Sequence, residues 1–144
     1  MAGLVFLSAC HRRPPAAEAA PRIELNLSRS ESGTVDVVGL PADDLSRLEQ
    51  HTPTREEWTA LLRVAVASQA AAVTDRPAVL GTYEITDGAL RFTPQFPFDP
   101  GQRYDVMLDP SRLPTSNGRP PAPWRLRLLE TSINVPAPER HPTT

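Results

Sequence analysis

Leu90-Arg91-Phe92-Thr93-Pro94 and, after three intervening residues, Phe98-Asp99-Pro100-Gly101-Gln102-Arg103-Tyr104-Asp105-Val106 form the stretch that decides the fold. Leu90 and Phe92 alternate with Arg91, the period of two that marks a strand with one buried face. Upstream, Tyr83 and Ile85 share a face in the same way, and Asp87-Gly88 separates the two runs. Asp-Gly adopts the positive φ of a two-residue hairpin turn, so residues 82–93 are predicted as a β-hairpin. Phe96 and Phe98 are spaced for packing as the chain crosses over. Asp99-Pro100-Gly101 reads as a turn, and Tyr104, Val106 and Leu108 predict the next strand.

The same period appears on both sides of this stretch. Ile23, Leu25 and Leu27 alternate with Glu24 and Asn26. Thr34 to Leu40 puts Val35 and Val37 on one face and Val38 and Leu40 on the other, and Ser28 to Gly33 is a polar turn between the two runs. Residues 62–68 predict a strand on Leu62, Val64 and Val66, and Trp124 to Glu130 predicts the last one. Between residues 42 and 62 the pattern becomes helical. Asp43 and Asp44 can cap a short helix carrying Leu45 and Leu48. His51 to Pro53 interrupts it. Thr54-Arg55-Glu56-Glu57 then reads as a capping box ahead of Trp58, Leu61 and Leu62. Trp58 is expected to anchor this second helix to the strands. Ala70 to Ala78 suits helix by its alanines, but Pro77 ends anything regular.

The fold class predicted is mainly β: an Ig-like β-sandwich of about seven short strands with one or two short inserted helices, over residues 22–132. The Phe92-Thr93-Pro94 and Pro100-Gly101-x-x-Tyr104-x-Val106 phrases resemble the S-layer-type bacterial Ig-like domain. The resemblance runs over Val79 to Leu108, with Trp124 to Glu130 as its last strand. It implies a Tyr104 that is buried in the strand after an inter-sheet turn, its hydroxyl bonded back near Pro100 or Gly101 like a tyrosine corner. The helical segment Val37 to Leu62 departs from a minimal domain of this kind. It resembles an elaboration in some bacterial lipoproteins, many of them longer and carrying a second β-domain. The family implies a fold and a location, and no reaction.

Residues 1–10 carry an apolar run, Leu4 to Leu7, before the only cysteine, Cys10. Leu7-Ser8-Ala9-Cys10 resembles the bacterial lipobox, in which the cysteine is lipidated and becomes the first residue of the mature protein. No positive charge precedes the run, and it is short for a signal peptide, so the true start is expected upstream or the export signal is weak. His11, rather than Asp, follows the cysteine, which by resemblance to the Gram-negative sorting rule favours the outer membrane. Residues 11–21, rich in Arg, Pro and Ala, read as an extended tether, and residues 133–144 as a disordered tail. The expected location is the periplasmic face or outer membrane, with a lipid anchor on Cys10.

At 144 residues the chain holds one domain with a real core. Its 17 prolines demand short elements and turns. A net charge of −2 supplies no field for a nucleic-acid partner. All 15 basic residues are Arg, which argues against Schiff-base chemistry and a P-loop. One cysteine excludes an internal disulfide. His11, His51 and His141 lack metal-ligand spacing. Asp43-Asp44 and Glu56-Glu57 sit where helix N-termini attract acids. Ser28, Ser30 and Ser32 have no nearby histidine, and Asp87, Asp99, Asp105 and Asp109 lack calcium-loop density and read as turn acids. No catalytic residue, metal or cofactor is expected.

Trp58, Tyr83, Phe92, Phe96, Phe98, Tyr104 and Trp124 all fall where the core is expected, with Phe96 and Phe98, flanked by prolines, the candidate exposed aromatic patch. The function expected is a non-catalytic binding or scaffold module whose partner is an unidentified protein or polysaccharide. The alternative is an accessory domain or subunit of a cell-envelope enzyme.

Overall fold

The computed structural model describes residues 19–27, 33–114 and 121–137, together with Gly3. The chain runs through β1 (Arg22–Asn26), β2 (Thr34–Val38), α1 (Ala42–His51), α2 (Arg55–Leu61), β3 (Leu62–Val66), β4 (Gly81–Thr86), β5 (Ala89–Pro94), β6 (Arg103–Leu108) and β7 (Leu129–Asn134). The protein is thus mainly β, with two short helices. The strands form two antiparallel sheets, one ordered β1-β2-β5-β4 and the other β3-β6-β7.

The two sheets share one core. Val35, Val37, Leu90 and Phe92 come from the first; Leu62, Val64, Tyr104, Val106, Leu108 and Ile133 come from the second. Each such burial is worth roughly 1.5–3 kcal/mol. Register follows from the alternation, because Val35 faces Phe92 and Val37 faces Leu90 across the β2–β5 ladder. The Asp87-Gly88 hairpin joins β4 to β5, with Asp87 at φ 52° and Gly88 at φ 71°. Gly81 allows the closest approach in that hairpin. A Cβ there would stand 2.3 Å from the Thr93 carbonyl oxygen and 2.6 Å from the Phe92 ring.

The turn before β6 forms at Asp99-Pro100-Gly101, where the sequence predicts it. Gly101 takes φ 78° after Pro100, and the Gln102 N–H donates to the Asp99 carbonyl at 3.1 Å. Tyr104 is buried and packs against Phe98 with ring centroids 4.7 Å apart. Its hydroxyl accepts from the Asp99 N–H at 3.0 Å, one residue upstream of the expected Pro100 or Gly101. Replacing Tyr104 by Phe is expected to cost about 0.5–1.5 kcal/mol, the net value of one hydrogen bond. Urea unfolding measures it, and an unchanged midpoint would show the bond to be energetically idle.

Four expectations are corrected. The last strand is not Trp124 to Glu130. Pro123 presets helical φ, so residues Pro123–Leu126 form a 3-10 turn, and β7 begins only at Leu129. The apolar alternation there misled because Leu126 and Leu128 point to solvent, 74% and 52% exposed. The domain also continues past residue 132. Ile133 and Val135 are buried, and the Val135 backbone exchanges hydrogen bonds with Gly101 and Gln102, so the start of the supposed tail is part of the fold. Pro21, assigned to the tether, is buried too. At α1 the cap position is Pro41, with no side-chain cap. Asp43 and Asp44 lie inside the first turn, and buried Asp44 pairs with Arg125, tying α1 to the 123–126 turn. Residues 70–78, where alanines suit helix but Pro77 ends anything regular, hold a 3-10 turn, Val73–Asp75. Arg63 holds this connection down through the carbonyls of Val73 (3.1 Å) and Arg76 (2.6 Å), while Val73 packs on Ala65 and Met107 outside β3-β6-β7.

Candidate functional site

Cys10, the expected lipidation site, lies outside the described residues. Of the expected aromatic patch, Phe96 is 72% exposed, which also takes it out of the core set. Phe98 is only 5% exposed, because it fills the space over the Tyr104 ring, and so it cannot belong to a surface patch. The exposed neighbour of Phe96 is Leu80, brought alongside by the hydrogen bond from the Gln95 N–H to the Leu80 carbonyl at 2.8 Å.

A concave site forms where the inserted helices meet the chain leaving β6. Helix α1 ends at His51, and Thr52 turns the chain at φ 50° before Pro53. The capping box then starts α2. Glu57 N–H donates to Thr54 Oγ1 at 3.2 Å, and Thr54 N–H donates to Glu57 Oε2 at 2.8 Å. This bond, followed by His51, whose Nε2 is 3.5 Å from Oε1, holds the Glu57 carboxyl below its usual range. Trp58 is half-buried and lies parallel to Tyr83 on β4, centroids 5.4 Å apart and planes within 2°. The Tyr83 hydroxyl crosses to the other sheet and donates to the Leu62 carbonyl at 2.9 Å, and burial pushes its pKa up. Trp58 therefore anchors α2, as expected, but through one face of its ring.

Leu48, His51, Pro53, Trp58, Leu61 and Arg112 line the resulting cleft, whose volume is about 280 Å3. Glu57, Ala60, Ser111 and Pro114 complete its wall. The 3-10 turn Pro110–Arg112 supplies that wall and is capped by Asp109, which accepts from the Ser111 N–H at 3.0 Å and from the Ser111 hydroxyl at 2.6 Å. The cleft runs into a shallower trough lined by Arg47, Gln50, His51 and Arg112. Ser111 and His51 share the cleft, yet no hydrogen bond joins them among the described residues, and the Ser111 proton is directed to Asp109. An apolar floor with a few polar groups is the make-up of a binding pocket, at the small end of the size range.

Two other polar features complete the surface. Asp105 accepts from Ser132 Oγ at 2.7 Å and from Arg76 Nη1 at 3.0 Å; Ser132 first, then Arg76, against the effect of burial, keep its carboxyl below the usual range. Both partners are structural in effect, since Arg76 also donates to the Val66 carbonyl and so pins the β3–β4 connection. On the outer face of the four-stranded sheet, Glu24, Asp36, Arg91 and Glu84 stand opposite one another in register across β1, β2, β5 and β4. Among the described residues no group of three or more His, Cys, Asp or Glu stands close enough to hold a metal ion.

In the sequence Trp58 reads as a helix anchor, with a ligand contact as the alternative, and His51 as a histidine without metal-ligand spacing; the contribution of Ser111, Arg112 and Pro114 depends on the end of β6 returning to the end of α1. A scan against protein-family models, a search of curated proteins and a search of solved structures each found no match.

Proposed function

We propose that this chain is a non-catalytic binding module, an Ig-like β-sandwich held on the cell envelope by lipid on Cys10, with the α1–α2 cleft as its ligand-facing surface. The observation that carries the proposal is the cleft itself: the inserted helices add nothing to either sheet and instead open an apolar concavity beside Trp58. The strand order supports the Ig-like reading, since β1-β2-β5-β4 over β3-β6-β7 has the connectivity of an ABED sheet over a CFG sheet. The Tyr104 bond to the Asp99 turn supports it as well. Because α1, α2 and the 110–112 turn gather at the end where β1 starts, the cleft would face the membrane-proximal side.

The anchor is tested in a bacterial host with a functional upstream export signal. The wild-type protein is expected to partition into detergent and incorporate palmitate, and Cys10→Ser to do neither. Equal behaviour of the two would overturn the anchored reading. The second reading, an accessory subunit of an envelope enzyme, is favoured by the exposed pair Leu80 and Phe96 at the opposite end, which suits contact with a larger protein. Co-purification with an envelope hydrolase that is lost in Phe96→Asp would favour it.

A further inference from the structure

We infer that the cleft binds a carboxylate carrying a compact apolar body. The inference rests on the cleft being the ligand surface and adds the class of ligand. Arg47 and His51 lie four residues apart on α1 and so share a helix face, and Arg112 approaches from the 110–112 turn; all three line one trough. Among the described residues the Arg47 side chain has its Nη1 fully covered without an acceptor. A guanidinium partly withdrawn from water with such an unmet donor is costly to hold, and an anion settling beside its solvent-facing edge relieves that cost. Arg112 is only loosely engaged, its Nε 3.8 Å from Asp109 Oδ2.

The negative groups nearby are already committed. Glu57 is bound to the Thr54 backbone and faces His51, and Asp109 caps the 110–112 turn. Two guanidinium groups thus remain to meet a carboxylate at the mouth of the cleft. The rest of the lining is Leu48, Pro53, Trp58, Ala60 and Leu61, with the Glu57 carboxylate turned to the Thr54 N–H and His51, so the rest of the ligand is apolar. At about 280 Å3 the space suits one ring or a short branched chain rather than a long acyl chain. This chemistry occurs both in free aryl or alkyl carboxylic acids and at the C-terminus of a peptide ending in an apolar residue.

The experiment titrates the full chain with phenylacetate, its neutral analogue phenylacetamide, inorganic phosphate, and N-acetyl-Ala-Ala-Phe as free acid and as C-terminal amide. Chemical shifts of the Trp58 indole N–H and the α1 amides provide the readout. Phenylacetate should give a saturable shift, with phenylacetamide about tenfold weaker or more, the equivalent of losing one charge-assisted contact. Tighter binding of the peptide acid than of phenylacetate identifies a peptide terminus as the source, and the reverse identifies a free acid. Arg112→Gln and Arg47→Gln should each weaken acid binding severalfold and leave the amides unchanged. Arg47→Gln should not lower the melting temperature, because the covered Nη1 has no acceptor among the described residues to lose. Equal binding of acid and amide, phosphate binding as tight as phenylacetate, or no saturable shift from either acid would overturn the inference. Such a failure would leave the Cys10 labelling result untouched, so the anchored-module reading stands or falls separately.

Discussion

Arg91→Ala is expected to destabilise the protein by about 3–5 kcal/mol, the cost of stripping one partner from a buried ion pair. Arg91 and Asp36 face each other on β5 and β2 and are only 8% and 5% exposed. They meet through two parallel bonds, Nε to Oδ1 at 3.0 Å and Nη2 to Oδ2 at 3.2 Å. Thr34 and Asn26 donate to the remaining lone pairs of the carboxylate, at 3.1 and 3.4 Å. Removing the guanidinium leaves a buried carboxylate with only these two neutral donors. Asp36→Ala should cost less, since Arg91 still faces the negative charges of Glu84 and Asp87. The double replacement Asp36→Val with Arg91→Leu should recover most of the loss, because apolar residues of similar size remove both desolvation costs together. Urea midpoints at constant m measure all three. A single-mutant cost below about 1 kcal/mol would show that the pair behaves like an exposed one.

The same pair gives stability a defined pH dependence. Burial alone would push the Asp36 carboxyl up, but the hydrogen bonds from Arg91 and Thr34 and the Arg91 charge outweigh it, so the folded-state pKa lies below the ordinary value of 3.8. A carboxyl whose pKa is lowered by folding releases its proton more readily in the folded state. Its contribution is therefore complete above the unfolded pKa and is lost as pH falls through the folded one. Asp105, lowered by Ser132 and Arg76, acts in the same direction. Stability should thus decline below about pH 4, and the Asp36→Val, Arg91→Leu protein should show a shallower decline.

Features written in neighbouring residues were legible in the sequence. The alternation of Leu90 and Phe92, the Asp87-Gly88 turn, the Pro100-Gly101 turn with Tyr104, and the Thr54–Glu57 box each involve groups a few residues apart, and the structure holds each of them in place. Features made by register were not. Arg91 looked like the solvent half of an alternating strand, and its partner lies 55 residues away. Ser111 and Arg112 looked like loop residues because their contact with α1 depends on the whole path of β6. Local competition accounts for the 123–128 error, where Pro123 overrode an apolar alternation that resembled a strand. Phe96 and Phe98 differ in burial although each follows a proline or precedes one, since the crossover turns one ring onto Tyr104 and the other outward.

Trp124 provides the second large effect and separates two sources of it. Its indole is 6% exposed and packs into the shared core at the 3-10 turn Pro123–Leu126. The Arg125 guanidinium lies 4.6 Å from the ring centroid while pairing with Asp44, so this ring sits beneath the tie between the turn and α1. Trp124→Ala is expected to cost about 3–5 kcal/mol through lost burial and the cavity left behind. Trp124→Phe should cost far less than its lost area suggests. Among the described residues the buried indole Nε1 has no acceptor, and an unmet donor of that kind costs about 1–3 kcal/mol in the native state. Phenylalanine removes the unmet donor together with part of the ring, so the two changes oppose each other and the net loss should stay below about 1.5 kcal/mol. Thermal and urea unfolding of both variants decide the matter. A Phe penalty as large as the Ala penalty would mean that the shape of the indole, and not its unpaired N–H, governs this end of the core.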